Sequence, residues 1–182
     1  MATQATHADL GLKAPPFSLP ATDGKTYSLA DLKGARGTLV MFICNHCPYV
    51  EASIDRAIAD AKVLGSLGIS TVAICSNDAK TYPDDSFDNM RAFAKRHGFP
   101  FPYLHDETQK VARAYGAVCT PDYFGFNDKL ELVYHGRLDE GRTDPPKTGA
   151  KRELLVAMEA VAKGGKVPAD QAPSIGCSIK WK

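Results

Sequence analysis

The stretch TLVMFICNHCPYV, residues 38–50, decides the fold. Residues 38–43 form a continuous apolar run, the mark of a strand buried on both faces. Two cysteines, Cys44 and Cys47, follow at once, and Pro48 suits the first position of a helix. Behind it Ile54, Ile58, Ala61 and Leu64 recur at helical spacing, which predicts a helix over 48–67 closed by Gly68.

That junction carries chemistry. A thiolate is the reactive form of cysteine, and the unpaired backbone N–H groups of a helix start favour it. Cys47, at or next to the N-cap, is therefore the expected attacking thiol. Cys44 lies at the strand end as the expected resolving thiol, and it forms a disulfide with Cys47 if the segment turns tightly enough to bring the α-carbons within about 7 Å. The plain alternative is two small apolar fillers. His46, between them, is either a proton donor and charge partner or an exposed loop histidine. Asn45 and Tyr49 read as positioning residues.

Working outward, ISTVAIC (69–75) is a second buried strand, Phe87 to His97 a helix stopped by Gly98, and residues 101–106 a third strand. ETQKVARAYG is a short helix. Thr120-Pro121 precedes an aromatic strand, residues 130–138 alternate as its partner, and residues 150–165 form an amphipathic helix. Upstream, Asp23-Gly24 marks a hairpin turn. Alternating strands and helices followed by two adjacent strands predict one α/β domain over 1–182, with a central mixed sheet flanked by helices. Residues 1–11 are expected to be a loose N-terminal arm, and 166–182 a C-terminal tail without strong periodicity.

The 182 residues bury a sizeable core. A formal net charge of +1 gives no pull toward nucleic acid or an anionic membrane, and no apolar run approaches a membrane span. The opening MATQATHADLGLKAPPF has no apolar signal region, which predicts a cytoplasmic protein. Five cysteines in a reducing compartment make a poor disulfide framework and point to redox or metal chemistry.

The segment APPFSLPATDGKTYSLADLKGARGTLVMFICNHCPYV resembles the redoxin superfamily, the thioredoxin-like group that holds AhpC/TSA-like peroxiredoxins and thiol–disulfide reductases. The shared features are the proline-rich AP-x-F lead, the DG turn, the L-x-D-L-x-G phrase and the buried strand ending in a Cys-Pro helix start. Within that group the chain is most similar to a branch with CNHCP and a GC-x-IKW ending. The resemblance implies a thioredoxin-like fold with an N-terminal extension, and it places Pro121 at the family's cis-proline, where backbone would meet a bound thiol substrate. It departs from the family in two ways. The reductase position for a second cysteine is Val50, and Cys44 stands where peroxidases carry threonine. It also implies an antioxidant or disulfide-exchanging oxidoreductase that needs no cofactor, takes a thiol, disulfide or peroxide substrate and an external thiol reductant, and forms a homodimer in some members.

Cys177, in SIGCSIKWK, either folds back to resolve an oxidised Cys47 or packs as an apolar residue; packing is the expectation. Cys75 and Cys119 read as core, Arg137 as a solvated charge that could otherwise acidify Cys47, and His105 and His135 as structural. Asp84 or Ser86 caps the second helix. Two further readings stand beside the enzyme: a copper or zinc protein using Cys44, His46 and Cys47 with Cys177 or His135, and a redox sensor without turnover.

Overall fold

Gly37–Phe42 is buried at every residue, as its unbroken apolar run demands. The computed structural model describes residues 1–182. In chain order the elements are β1 (Ala2–Gln4), β2 (Ser18–Pro20), β3 (Thr26–Ser28), α1 (Leu29–Leu32), β4 (Gly37–Phe42), α2 (Pro48–Glu51) and α3 (Ile54–Ser66). They continue with β5 (Ile69–Cys75), a 3₁₀ turn at Pro83–Asp85, α4 (Phe87–His97), β6 (Tyr103–His105), α5 (Lys110–Tyr115), β7 (Cys119–Thr120), β8 (Asp122–Asn127), β9 (Leu132–Gly136), α6 (Glu153–Ala162) and β10 (Ile175–Ser178).

The main sheet has the order β6-β5-β4-β8-β9. Its β4, β5 and β6 run parallel, and β8 and β9 add as an antiparallel hairpin. Successive side chains of β4 point to opposite faces. Leu39, Met41 and Ile43 join the core under α3 and α6 with Ile54, Leu64 and Met158. Val40 and Phe42 enter the second core with Val72, Ile74, Phe124 and Tyr115. No helix is long and apolar enough to cross a membrane.

Local signals account for most boundaries. Gly24 takes a positive φ in the β2–β3 turn, and Gly98 adopts the left-handed conformation that ends α4. Ser86, not Asp84, caps α4, its hydroxyl accepting from Asn89 N–H.

Two expectations need correction. The helix over 48–67 is two helices, because Ser53 donates its hydroxyl to the Tyr49 carbonyl and the chain bends there. The N-terminal arm is not loose. β1 pairs with β10, and Ala5, Ala8, Gly11 and Ala14 N–H groups are all held by Ser174 O, His135 Nδ1, Leu132 O and Leu130 O. The tail is equally fixed: β10 lies between β1 and β7. Beyond it, Ile179 N–H reaches Val118 O and Lys180 N–H reaches Asn77 Oδ1. Gln109 grips Lys180 O and Lys182 N–H, and Trp181 stacks under the Arg113 guanidinium at 4.3 Å. At about 1 kcal/mol net for each hydrogen bond, this anchoring amounts to several kcal/mol.

Candidate active site

Strand β4 delivers the chain to Cys44, and Pro48 starts α2 one residue after Cys47, which is its N-cap. Both cysteines are buried, at 1% and 0% exposure. The third sulfur comes from the far end of the chain: Cys177 Sγ lies 2.7 Å from Cys47 Sγ. Of the two readings of Cys177, the contact favours folding back onto Cys47, and the side chain also packs against the core. Its half-buried side chain closes over Cys47 because β10 pairs with β7 and sets Cys177 opposite Thr120.

Thr120 organises the cluster. Its peptide bond to Pro121 is cis, as the resemblance implied. Its hydroxyl lies 3.3 Å from Cys44 Sγ, and its carbonyl oxygen is 3.3 Å from Cys47 Sγ, able to accept from that thiol when it is neutral. Gly176 sits so close that a Cβ there would fall 1.9 Å from the Thr120 oxygen, so only glycine fits.

Three thiols in contact do not share their protons equally. Cys47 is lowered to about 5, first by the hydrogen bond from the Cys44 side chain, then by those from Cys177 and from the Val50 backbone, against the penalty of burial. Cys44 is pushed well above the usual thiol range by its bond to Cys47, by burial and by the nearby Asp85 charge. Burial and Cys47 push Cys177 up to about 12. The arrangement is one thiolate flanked by two thiols. The neighbouring S–H groups, more than the helix start expected from sequence, make Cys47 acidic.

Asp85 was not singled out in the sequence, where DDSF reads as a helix cap. It is fully buried and accepts from Asn45 N–H at 2.8 Å and from Asn77 Nδ2 at 2.7 Å. Tyr103 OH donates to Asn45 Oδ1 at 2.9 Å, so the loop between the cysteines is fixed from both sides. His46 Nδ1 stands 2.8 Å from Asp85 Oδ2, an ion-pair distance without hydrogen-bond alignment, and its ring stacks on Tyr82.

Cys44, His46 and Asp85 offer ligand atoms within 4.8 Å of one another. This is the nearest approach to the metal set expected from sequence, with Asp85 in place of Cys47. His135 is not part of it: its Nε2 lies 3.1 Å from both oxygens of the buried Asp122. Arg137 forks onto Glu153, with Nη2 at 2.7 Å, and takes no visible part in acidifying Cys47. Cys75 and Cys119 are buried and pushed up by desolvation, and His105 stacks on Phe87. Tyr49 lines a small cleft with Ser53, Pro121 and Ile175 beside the cluster.

The AhpC/TSA family model matches residues 10–135. A solved structure of a conserved protein from Geobacillus kaustophilus is 46% identical, has a TM-score of 0.94, and is covered over 100% of this chain and 97% of its own. Thiol-disulfide oxidoreductase ResA of Geobacillus thermodenitrificans is 26% identical over 75% of this chain and 75% of its own length. The chloroplastic peroxiredoxin Q of Triticum aestivum is 29% identical over 63% of this chain and 48% of its length. Solved thioredoxin domains share the fold, which is thioredoxin-like as the resemblance implied.

Proposed function

The chain belongs to the AhpC/TSA family, whose relatives are thiol-based redox proteins, and from that premise we propose that it is an oxidoreductase in which Cys47 is the nucleophile and Cys177 its resolving partner. The observation that carries this reading is the 2.7 Å contact between the two sulfurs, one of them a thiolate held at about 5.

With a hydroperoxide, the Cys47 thiolate attacks the terminal oxygen. The O–O bond breaks, the alkoxide leaves and takes a proton from solvent, and Cys47 becomes a sulfenic acid. Cys177 then attacks that sulfur, water leaves, and a Cys47–Cys177 disulfide remains. With a disulfide, Cys47 attacks one sulfur and releases a thiolate, and Cys177 resolves the mixed disulfide. Two equivalents of an external thiol restore the reduced protein in either case. The Cys47 thiolate is the better leaving group of the pair, so external attack on the half-exposed Cys177 sulfur regenerates it. Cys44, the resolving thiol first expected from sequence, holds the proton that keeps Cys47 ionised.

Peptide mapping of reduced protein after one equivalent of hydrogen peroxide, or of a small disulfide, tests this. The expected product is Cys47 linked to Cys177. A Cys47→Ser variant reacting at the wild-type rate with both oxidants would reject it.

Metal binding is the second reading, favoured by the grouping of Cys44, His46 and Asp85. It is weaker, because both Asp85 oxygens already accept hydrogen bonds and a closed zinc site needs four ligands. Stoichiometric zinc or copper in anaerobically purified protein would revive it.

A further inference from the structure

Strand β10 occupies a particular place. It pairs antiparallel with β7, with Cys177 opposite Thr120, and the carbonyl oxygen of that same Thr120 lies 3.3 Å from Cys47 Sγ. An exposed strand edge beside a reactive cysteine is where an extended chain can add and bring its own sulfur into reach. Here the protein fills that edge with itself. Gly176 is pressed onto Thr120 with no room for a side chain. The outer edge of β10 is closed by β1, and the segment after it is anchored through Ile179, Lys180 and Lys182. Cys47 has no exposed surface, and Cys177 is the one member of the three-sulfur cluster that reaches solvent.

We infer that β10 is a specificity filter: it bars extended protein chains from Cys47 and confines the external partners of the site to low-molecular-weight disulfides, thiols and hydroperoxides. This rests on the reading of Cys47 as the redox thiol. A small disulfide needs only a local shift of the partly exposed Cys177 side chain to meet Cys47. The Cys47 thiolate takes one of its sulfurs and expels the other as thiolate. Cys177 then displaces the bound half, its proton passing to the departing thiol. One small disulfide becomes two thiols, and the protein is left with Cys47–Cys177. A protein disulfide would first have to unseat a strand that is anchored on both sides.

The test compares the reduced full-length protein against bis(2-hydroxyethyl) disulfide and against insulin, whose disulfides lie in a folded chain. The expected rate constant for the small probe exceeds that for insulin by about 100-fold or more. Attack on hydrogen peroxide but not on insulin supports the filter equally. Two variants loosen β10: Gly176→Ala drives a methyl into the Thr120 carbonyl, and Ile179→Ala removes a buried anchor. In either, the preference for the small probe over insulin falls by roughly tenfold, while a cooperative melt shows that the domain remains folded.

Wild-type protein that reduces insulin as fast as the small disulfide overturns the inference, whatever the variants do. So does a folded variant whose β10 amides exchange faster but whose preference is unchanged. Protein that reacts with neither disulfide nor peroxide removes the redox reading itself, and the filter with it.

Discussion

The sulfur atoms of Cys47 and Cys177 stand 2.7 Å apart although 130 residues of sequence separate them. One belongs to the N-cap of a helix and the other to a strand at the opposite end of the chain. Neither position alone makes a redox centre. Their contact adds to the acidity that Cys44 chiefly gives Cys47, and it sets a second thiol within bonding reach.

The ultraviolet absorbance of the thiolate in the reduced protein should titrate with a midpoint near 5. Cys44→Ala removes the largest contribution and should raise that midpoint by about one unit or more. An unchanged midpoint would show that Cys44 does not donate to Cys47.

The same acidity sets a pH dependence of stability. A thiol whose folded pKa is depressed stabilises the fold above its unfolded value of about 8.5, and the contribution is lost as pH falls through the folded value. The stability difference between wild type and Cys47→Ala should therefore shrink as pH falls from about 8.5 to about 5. Cys44 and Cys177 are shifted upward and act with the opposite sign, above that window. Urea unfolding at both ends of the window measures the change, and a difference independent of pH would contradict it.

Cys177→Ser should leave an oxidised Cys47 without its resolving thiol, with Cys44 alone beside it. Under excess peroxide this variant should accumulate sulfinic acid at Cys47 in place of the disulfide, with closure slowed by about tenfold or more. Intact-mass kinetics follow both products. A Cys177→Ser variant that closes a Cys44–Cys47 disulfide at the wild-type rate would make Cys44 the resolving thiol.

Asp85→Ala strands two donors, the partly buried Asn45 N–H and the buried Asn77 Nδ2. Roughly 2–4 kcal/mol of unfolding free energy should be lost, and Asp85→Asn, which keeps one acceptor, should lose less. Chemical denaturation checks the order of the two variants. Equal stability of all three proteins would mean that water or another group satisfies those donors.

The sequence makes some of this architecture legible and hides the rest, for identifiable reasons. β4, the Cys-Pro helix start, Gly98 and the hairpin at Gly24 rest on local signals a few residues long, and the structure follows them. Cys44 and Cys47 meet Thr120, the residue before the cis Pro121, because each ends or begins such an element. β1 and β10 are three and four residues long, too short for an alternation to be visible, and their pairing spans nearly the whole chain. The place of Cys177 therefore depends on a tertiary contact that no local pattern announces. Asp85 was hidden differently: acidic residues before a helix suggest exposed caps, and only the fold shows this one enclosed between Asn45 and Asn77.

The pairing of β1 with β10 also orders events in time. Joining Thr3 to Gly176 closes a loop of nearly the full chain, and such long-range closures come late because their entropy must be met before any contact rewards it. Without this clasp Cys47 keeps Cys44 beside it but lacks the contact with Cys177. The second thiol of the pair is therefore the last part to arrive, delivered by the longest closure in the chain.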